Sequence, residues 1–296
     1  MELRDVAYFV AVADEMSFTK AAAALGVAQP SLSQQIKKFE TELGIELFSR
    51  TKRSVRLTSA GRAVLTEARS LLSQADVTRQ VARLAASGRL GELSIGFIEA
   101  AVFAVLPRVI SAFRATYPNV TVSLRELTTV EQVAALRNRT LDVGILRTPI
   151  LGDDIETELL MKEHVVVVLP ITHELAKGES VRLASLRREN FIFHEGSRAR
   201  RLRDEIIGLS RAAGFIPRII QEAGEFHTIC GLVAAGLGVS CVPASAQAIN
   251  IDGVVYRRLT HPEVEIDYRA GWLRQGRSPT VRAFRSVLSA GLAITS

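Results

Sequence analysis

Residues 17–40 read SFTKAAAALGVAQPSLSQQIKKFE, and their spacing predicts two short helices around a tight turn. Phe18, Ala21, Ala22 and Leu25 fall at helical intervals and give the first helix an apolar stripe. Gly26 follows where the chain must turn sharply, and Pro30 stands where the first turn of a second helix tolerates its missing N–H. Leu32, Ile36, Phe39 and Leu43 then form the buried stripe of a helix over residues 29–43. The opposite face carries Gln29, Pro30, Gln34, Lys37, Lys38 and Thr41, with Ser33 on its flank. Amides, hydroxyls and lysines on one exposed face suit a DNA major groove, where Gln bridges adenine edges and Lys meets phosphate. The stretch reads as a helix-turn-helix with 29–43 as recognition helix. The alternative is a plain helical hairpin with a solvated polar face.

The residues on either side extend this unit. Leu3, Val6, Phe9, Val10 and Ala13 predict a preceding amphipathic helix that completes a three-helix core. After Leu43, Gly44 ends the recognition helix, and GIELFSRTKRSVRLT predicts a basic hairpin. Between Lys37 and Arg62 seven basic residues face three acidic ones, so the chain's net charge of +6 is concentrated here. Such a hairpin reads as a wing over minor groove or phosphate, with Arg50 and Arg53 as candidate contacts; a solvated loop is the plainer alternative. Thr58 and Ser59 can cap a helix over about 60–87, about 42 Å long at 1.5 Å per residue. Along it Val64, Ala68, Leu71, Ala75, Thr78, Ala82 and Ala85 recur in a coiled-coil seam. A partner copy is the economical way to bury that seam; packing on the chain's own C-terminal part is the alternative.

Composition bounds the rest. The chain has 296 residues, 48% of them hydrophobic and 23% charged, which describes an ordinary globular protein of two or three domains. Four acidic residues among the first fifteen do not fit a signal peptide, and no apolar run is long enough to cross a membrane. Cys230 and Cys241 cannot form a disulfide framework for this length, so the cytoplasm is the default location.

Residues 1–88 resemble the DNA-binding domain and linker helix of a LysR-type transcriptional regulator. The resemblance rests on Phe18, Ala21 to Ala23, Leu25, Gln29, Pro30, Ser31, Ser33, Gln34, Glu40, Leu43, Gly44, Leu47, Phe48, Arg50, Leu57, Thr58 and Gly61. It implies a winged helix-turn-helix on promoter DNA. It also implies a homodimer assembling to a homotetramer, RNA polymerase as a further partner, and a C-terminal effector domain. No cofactor is implied.

Read from its own pattern, the C-terminal part alternates strands and helices. Strands are predicted at 92–98, 120–127 and 141–146, helices at 107–117 and 130–139, and the pattern restarts at 164–169. Further strands fall at 191–193, 218–222, 239–242 and 266–273, with helices near 198–213, 228–235 and 280–293. This argues an α/β fold with a mostly parallel sheet in two units. The motifs 141-LDVGI-145 and 233-VAAGLG-238 also match the family. The resemblance then implies a two-lobed effector domain like a periplasmic binding protein, with two crossing strands. The domains expected are 1–58 (DNA-binding), 59–88 (linker) and 89–296 (effector), with lobe I at about 89–161 and 268–296 and lobe II at about 162–267.

Ligands of such sheets bind beyond the carboxyl ends of the strands. That places Ile98, Glu99, Ala100, Thr129, Arg147, Ser197, Arg198, Phe226, His227 and Pro243 as candidate effector contacts. Thr128 and Glu131 fit a capping box, leaving the hydroxyl of Thr129 to a ligand or to the first helical turn. Arg147 can grip a carboxylate or pair with an internal acid; Phe226 and His227 can line a cleft or pack a helix. The segments GFIEAAVFAVLPR and GLVAAGLGVSCVPAS resemble the branch of the family that controls catechol, benzoate and chlorocatechol breakdown. This implies an aromatic acid or ring-cleavage product as effector. Muconate-responding members of that branch often carry Gly-Ser where this chain has Glu99 and Ala100. Two outcomes stay open. If Glu99 points away or pairs with an arginine, the effector is a carboxylate; if it faces the ligand, the effector is neutral, cationic or a phenol.

Other classes find little support. There is no G-x-S-x-G, no G-x-x-x-x-G-K-[ST] and no H-E-x-x-H, and the five histidines have no metal-ligand spacing. The reading is therefore a regulator and not an enzyme. A cytoplasmic small-molecule binding protein of the same fold is the rival from another class. A redox-sensing LysR-type regulator is a second rival, since Cys230 and Cys241 read either as a switch or as inert core thiols.

Overall fold

The computed structural model describes residues 1–50, 54–150, 152–195, 200–275 and 278–290. The chain divides into two compact units, Met1–Leu84 and Ala85–Ser296. In the first, α1 (Leu3–Glu15), α2 (Phe18–Leu25) and α3 (Gln29–Leu43) precede the hairpin β1 (Phe48–Arg50) and β2 (Val55–Leu57), and α4 (Ser59–Ala86) follows. Ser17 caps α2 by accepting the Lys20 N–H at 3.3 Å. Gly26 ends α2 at φ 65°, a left-handed conformation that a side chain would strain. Val6, Phe9, Phe18, Leu32, Ile36, Phe39, Leu47 and Phe48 pack the core, while Leu43 stands 36% exposed at its edge.

Two features tie the hairpin to the helices. Gly61, at the start of α4, lies so close to the chain before β1 that an added Cβ would stand 2.1 Å from the Leu47 carbonyl oxygen. Glu40 is buried beneath β1. Its Oε1 accepts the N–H groups of Leu47 at 2.9 Å and Phe48 at 3.0 Å, and its Oε2 accepts Arg50 Nη2 at 2.7 Å.

The expected seam on α4 is divided. Val64 and Ala68 pack on the three-helix core together with Leu65 and Leu72, because the first turns of α4 form the fourth wall of that core. Leu71, Thr78, Ala82 and Ala85 are exposed, and Ala75 is half-buried. Only the later part of the seam is therefore left uncovered by the first unit's own core.

The second unit opens with β3 (Gly91–Phe97), α5 (Glu99–Ala104), α6 (Leu106–Thr116), β4 (Val120–Glu126), α7 (Thr129–Arg137) and β5 (Val143–Leu146). β6 (Ile155–Pro170), β7 (Ser180–Arg182), β8 (Asn190–His194), α8 (Arg200–Ala212), β9 (Arg218–Ala223), α9 (Phe226–Ala234) and β10 (Ser240–Pro243) follow. β11 (Val254–Thr260), β12 (Glu265–Leu273) and α10 (Pro279–Ser289) complete it. The main sheet runs β4-β3-β5-β12-β6-β11-β7, with β10 also on β6, and β8 pairs with β9.

β6 is the organising strand. Its first part pairs with β12 from Ile155 to His164, and its last part pairs with β10 and β11. β6 and β12 thus carry the chain between a first lobe on β3 to β5 and a second on β7 to β11. This corrects two expectations. The second half of the pattern does not restart at residue 164, because one strand of 16 residues runs through that point. Its charged first half, IETELLMKEH, hides the strand because that half is only partly covered. Nor is the sheet mostly parallel: β3 runs parallel to β4 and β5, but both crossing strands pair antiparallel to their neighbours. Among the described residues no helix is long and apolar enough to cross a membrane.

Candidate functional site

The first candidate surface is the outward face of α3, where Gln29, Pro30, Gln34 and Lys37 are exposed together. Ser33 is half-buried, and its Oγ stands 3.4 Å from Arg50 Nη1. Arg50 is exposed but already held. Its guanidinium lies 4.7 Å from the centre of the Phe18 ring and bonds Glu40, so it fastens the hairpin to the helices. Arg53 lies outside the described residues.

The second candidate is a cavity of about 150 Å³ between the lobes of the second unit. It gathers the carboxyl ends of four strands: Ile98, Glu99 and Ala100 after β3, Glu126, Leu127 and Thr128 at the end of β4, Arg147 after β5, and His194 ending β8. Phe226, which opens α9, and Glu131 on α7 complete the lining. Glu99 reaches across the cavity: its Oε1 accepts the Phe226 N–H at 2.8 Å, and its Oε2 stands 3.4 Å from His194 Nε2. The His194 ring meets the Phe226 ring edge-on at 4.7 Å. Both expectations for Glu99 are thereby decided in part. It faces the cavity, and among the described residues its partners are a histidine and a helix amide, not an arginine.

Arg147 lines the cavity and also has internal partners. Its Nη2 donates to Tyr268 OH at 2.8 Å and stands 4.0 Å from Glu163 Oε1. Tyr268 OH in turn donates to Glu163, which also accepts the Ser245 N–H at 2.7 Å and its hydroxyl at 3.1 Å. Burial pushes the Tyr268 phenol well above its usual range, so it stays a donor. Arg147 Nε is buried with no partner among the described residues.

Three expected contacts lie elsewhere. Thr129 is absent from the lining; its Oγ1 accepts the Arg147 N–H at 3.4 Å, because the capping box of Thr128 and Glu131 starts α7 one residue earlier and leaves Thr128 at the cavity. His227 points outward on α9, since Phe226 takes the inward position of the first turn. Pro243 is buried at the end of β10. Ser197 and Arg198 lie outside the described residues. His194 ends a strand already placed at the cavity, so strand position alone signalled it. Glu163 and Tyr268 carried no local signal.

Both cysteines are buried. Burial pushes the Cys241 thiol up to about 12 and also raises that of Cys230, the latter against a hydrogen bond from Tyr256. Among the described residues no group of His, Cys, Asp and Glu side chains can hold a metal ion.

Residues 3–62 match the bacterial regulatory helix-turn-helix protein of the lysR family, and residues 86–293 match the LysR substrate binding domain. The chain belongs to the LysR family. It is a DNA-binding transcriptional regulator with a substrate-binding domain. This LysR-family chain is 40% identical over 287 residues to the uncharacterized HTH-type transcriptional regulator YnfL of Escherichia coli (strain K12), covering 96% of this chain and 97% of that one. It is 37% identical over 269 residues to the HTH-type transcriptional regulator BenM of Acinetobacter baylyi, covering 89% and 87%. Full-length CbnR complexed with its target DNA matches with a TM-score of 0.86 at 30% identity, covering 99% of this chain and all of that one. The BenM effector binding domain with its effector benzoate matches with a TM-score of 0.62 at 28% identity, covering 68% of this chain and 91% of that one.

Proposed function

We propose that this regulator acts in the cytoplasm, reads promoter DNA through Gln29, Pro30, Gln34 and Lys37 on α3, and is switched by a small molecule held between its lobes. The observation that carries the switch is the cavity at the carboxyl ends of β3, β4, β5 and β8, lined by residues of both lobes. CbnR bound to its target DNA and BenM bound to benzoate support the two halves of this reading. In this reading 1–58 binds DNA, 59–88 links and pairs two copies, and 89–296 holds the effector. The exposed seam on α4 from Leu71 onward supports a dimer. The motifs in the effector domain, and the likeness to BenM, support a place among regulators of aromatic-compound breakdown.

The test is a mobility-shift titration on the DNA upstream of the chain's own gene, repeated with every base pair of the bound site varied. Gln34→Ala is expected to relax preference at one position per half-site by about 1–3 kcal/mol while leaving the fold unchanged. Unaltered preference at every position removes α3 as the reading helix.

A further inference from the structure

We propose that Glu99 holds the place an effector's own carboxylate would take, so that the cleft excludes carboxylic acids and accepts a neutral or cationic hydrogen-bond donor of about aromatic size. The inference rests on the reading of the cleft as the effector site and names the class of molecule it takes.

Three observations lead there. The first N–H of α9 is the natural anchor for an anion at this cavity, since a helix N-terminus presents free donors and positive potential. Glu99 Oε1 already accepts that N–H, from Phe226 at 2.8 Å. An acid entering the cleft would have to displace a tethered carboxylate. Second, Arg147, which lines the cavity beside Glu99, is already engaged: its Nη2 donates to Tyr268 and stands 4.0 Å from Glu163. A further negative charge in that setting is repelled by its neighbours while losing its own hydration.

Third, His194 is 7% exposed and lines the cavity, and among the described residues its Nδ1 has no hydrogen-bond partner. The Glu99 carboxylate is an acceptor, so a ligand that meets it must bring donors: an ammonium, an amide or a hydroxyl. Phe226, edge-on to His194 at 4.7 Å, offers an apolar wall to the body of such a ligand.

The experiment is a thermal-shift titration of the full chain with benzylamine, benzyl alcohol and benzoate, run on the parent, Glu99→Gly and Glu99→Gln. In the parent, benzylamine or benzyl alcohol is expected to raise the melting temperature, and benzoate is not. Glu99→Gly frees the α9 amide and removes the charge, so its apparent affinity for benzoate should rise at least about tenfold while that for benzylamine falls. Glu99→Gln keeps an oxygen for the Phe226 N–H and loses the charge, so it should weaken benzylamine and spare benzyl alcohol. Benzoate binding the parent as well as it binds Glu99→Gly overturns the exclusion and leaves the cleft reading intact. A benzylamine shift unchanged in both variants overturns the role of Glu99 as acceptor. No shift by any probe in any of the three folded proteins removes the cleft reading, and this inference falls with it.

Discussion

Glu40 in the first unit and Glu99 in the second both accept backbone N–H groups, but under opposite conditions. Glu40 is sealed beneath β1, where its two oxygens take two amides and a guanidinium, all from residues seven to ten positions further along the chain. Glu99 lines an open cavity, where it takes one amide 127 residues away and stands beside an imidazole 95 residues away. The first carboxylate has every partner it needs from its own neighbourhood, so it fixes a shape. The second joins two lobes across a space and stands next to an imidazole whose other nitrogen has no partner among the described residues. It is placed to respond to whatever enters. Burial with complete pairing makes a fastener, whereas burial with incomplete pairing at a cavity makes a site.

Stability measurements can break this contrast. Glu40→Ala strands the N–H groups of Leu47 and Phe48 and unpairs Arg50, so about 3 kcal/mol of stability should be lost, together with DNA binding. Urea denaturation of the full chain, followed by a probe on the first unit, reads that loss. Glu99→Ala leaves one N–H at a cavity that water can enter, so the loss should be at most about 1 kcal/mol, read by the same titration on the second unit. Equal losses for the two substitutions would show that Glu99 is as structural as Glu40.

The smallest effect is expected at the thiols. Cys230 feels the Glu99 charge, yet burial is the larger cause that keeps its proton on, and Cys241 titrates only near 12. Thiolates are the reactive form, so at pH 8 the folded protein should react with iodoacetamide far more slowly than the urea-unfolded chain. Cys230→Ala with Cys241→Ala should leave the DNA-binding response to peroxide unchanged from a null response in the parent. A peroxide response that disappears in the double variant would turn the second unit into a redox sensor.

The helix pair was legible because its signals are local. Gly26 and Pro30 act within a turn of where they stand, and the apolar stripes of α2 and α3 repeat at the helical period. The charged half of β6 was not legible, because its sequence alternates in the manner of a partly exposed segment and only its pairing with β12 makes it a strand. The cavity residues divide in the same way. Ile98, Ala100, Arg147 and Phe226 follow from strand ends, but the exchange of Thr129 for Thr128 and of His227 for His194 depends on which way a helix turns once packed.

The sequence by itself determined the helix-turn-helix, the long linker helix, the α/β character of the second unit and membership of its family, since each rests on residues within a few turns of one another or on motif spacing. Tertiary structure alone decided that Arg50 is a fastener, that the first part of the α4 seam belongs to the chain's own core, and that Glu99 spans the cleft to α9 and His194. The physical reason is that a charged side chain's role is set by what it meets. Those partners, Phe18 and Glu40 for Arg50, His194 and the Phe226 amide for Glu99, come together only when distant segments pack.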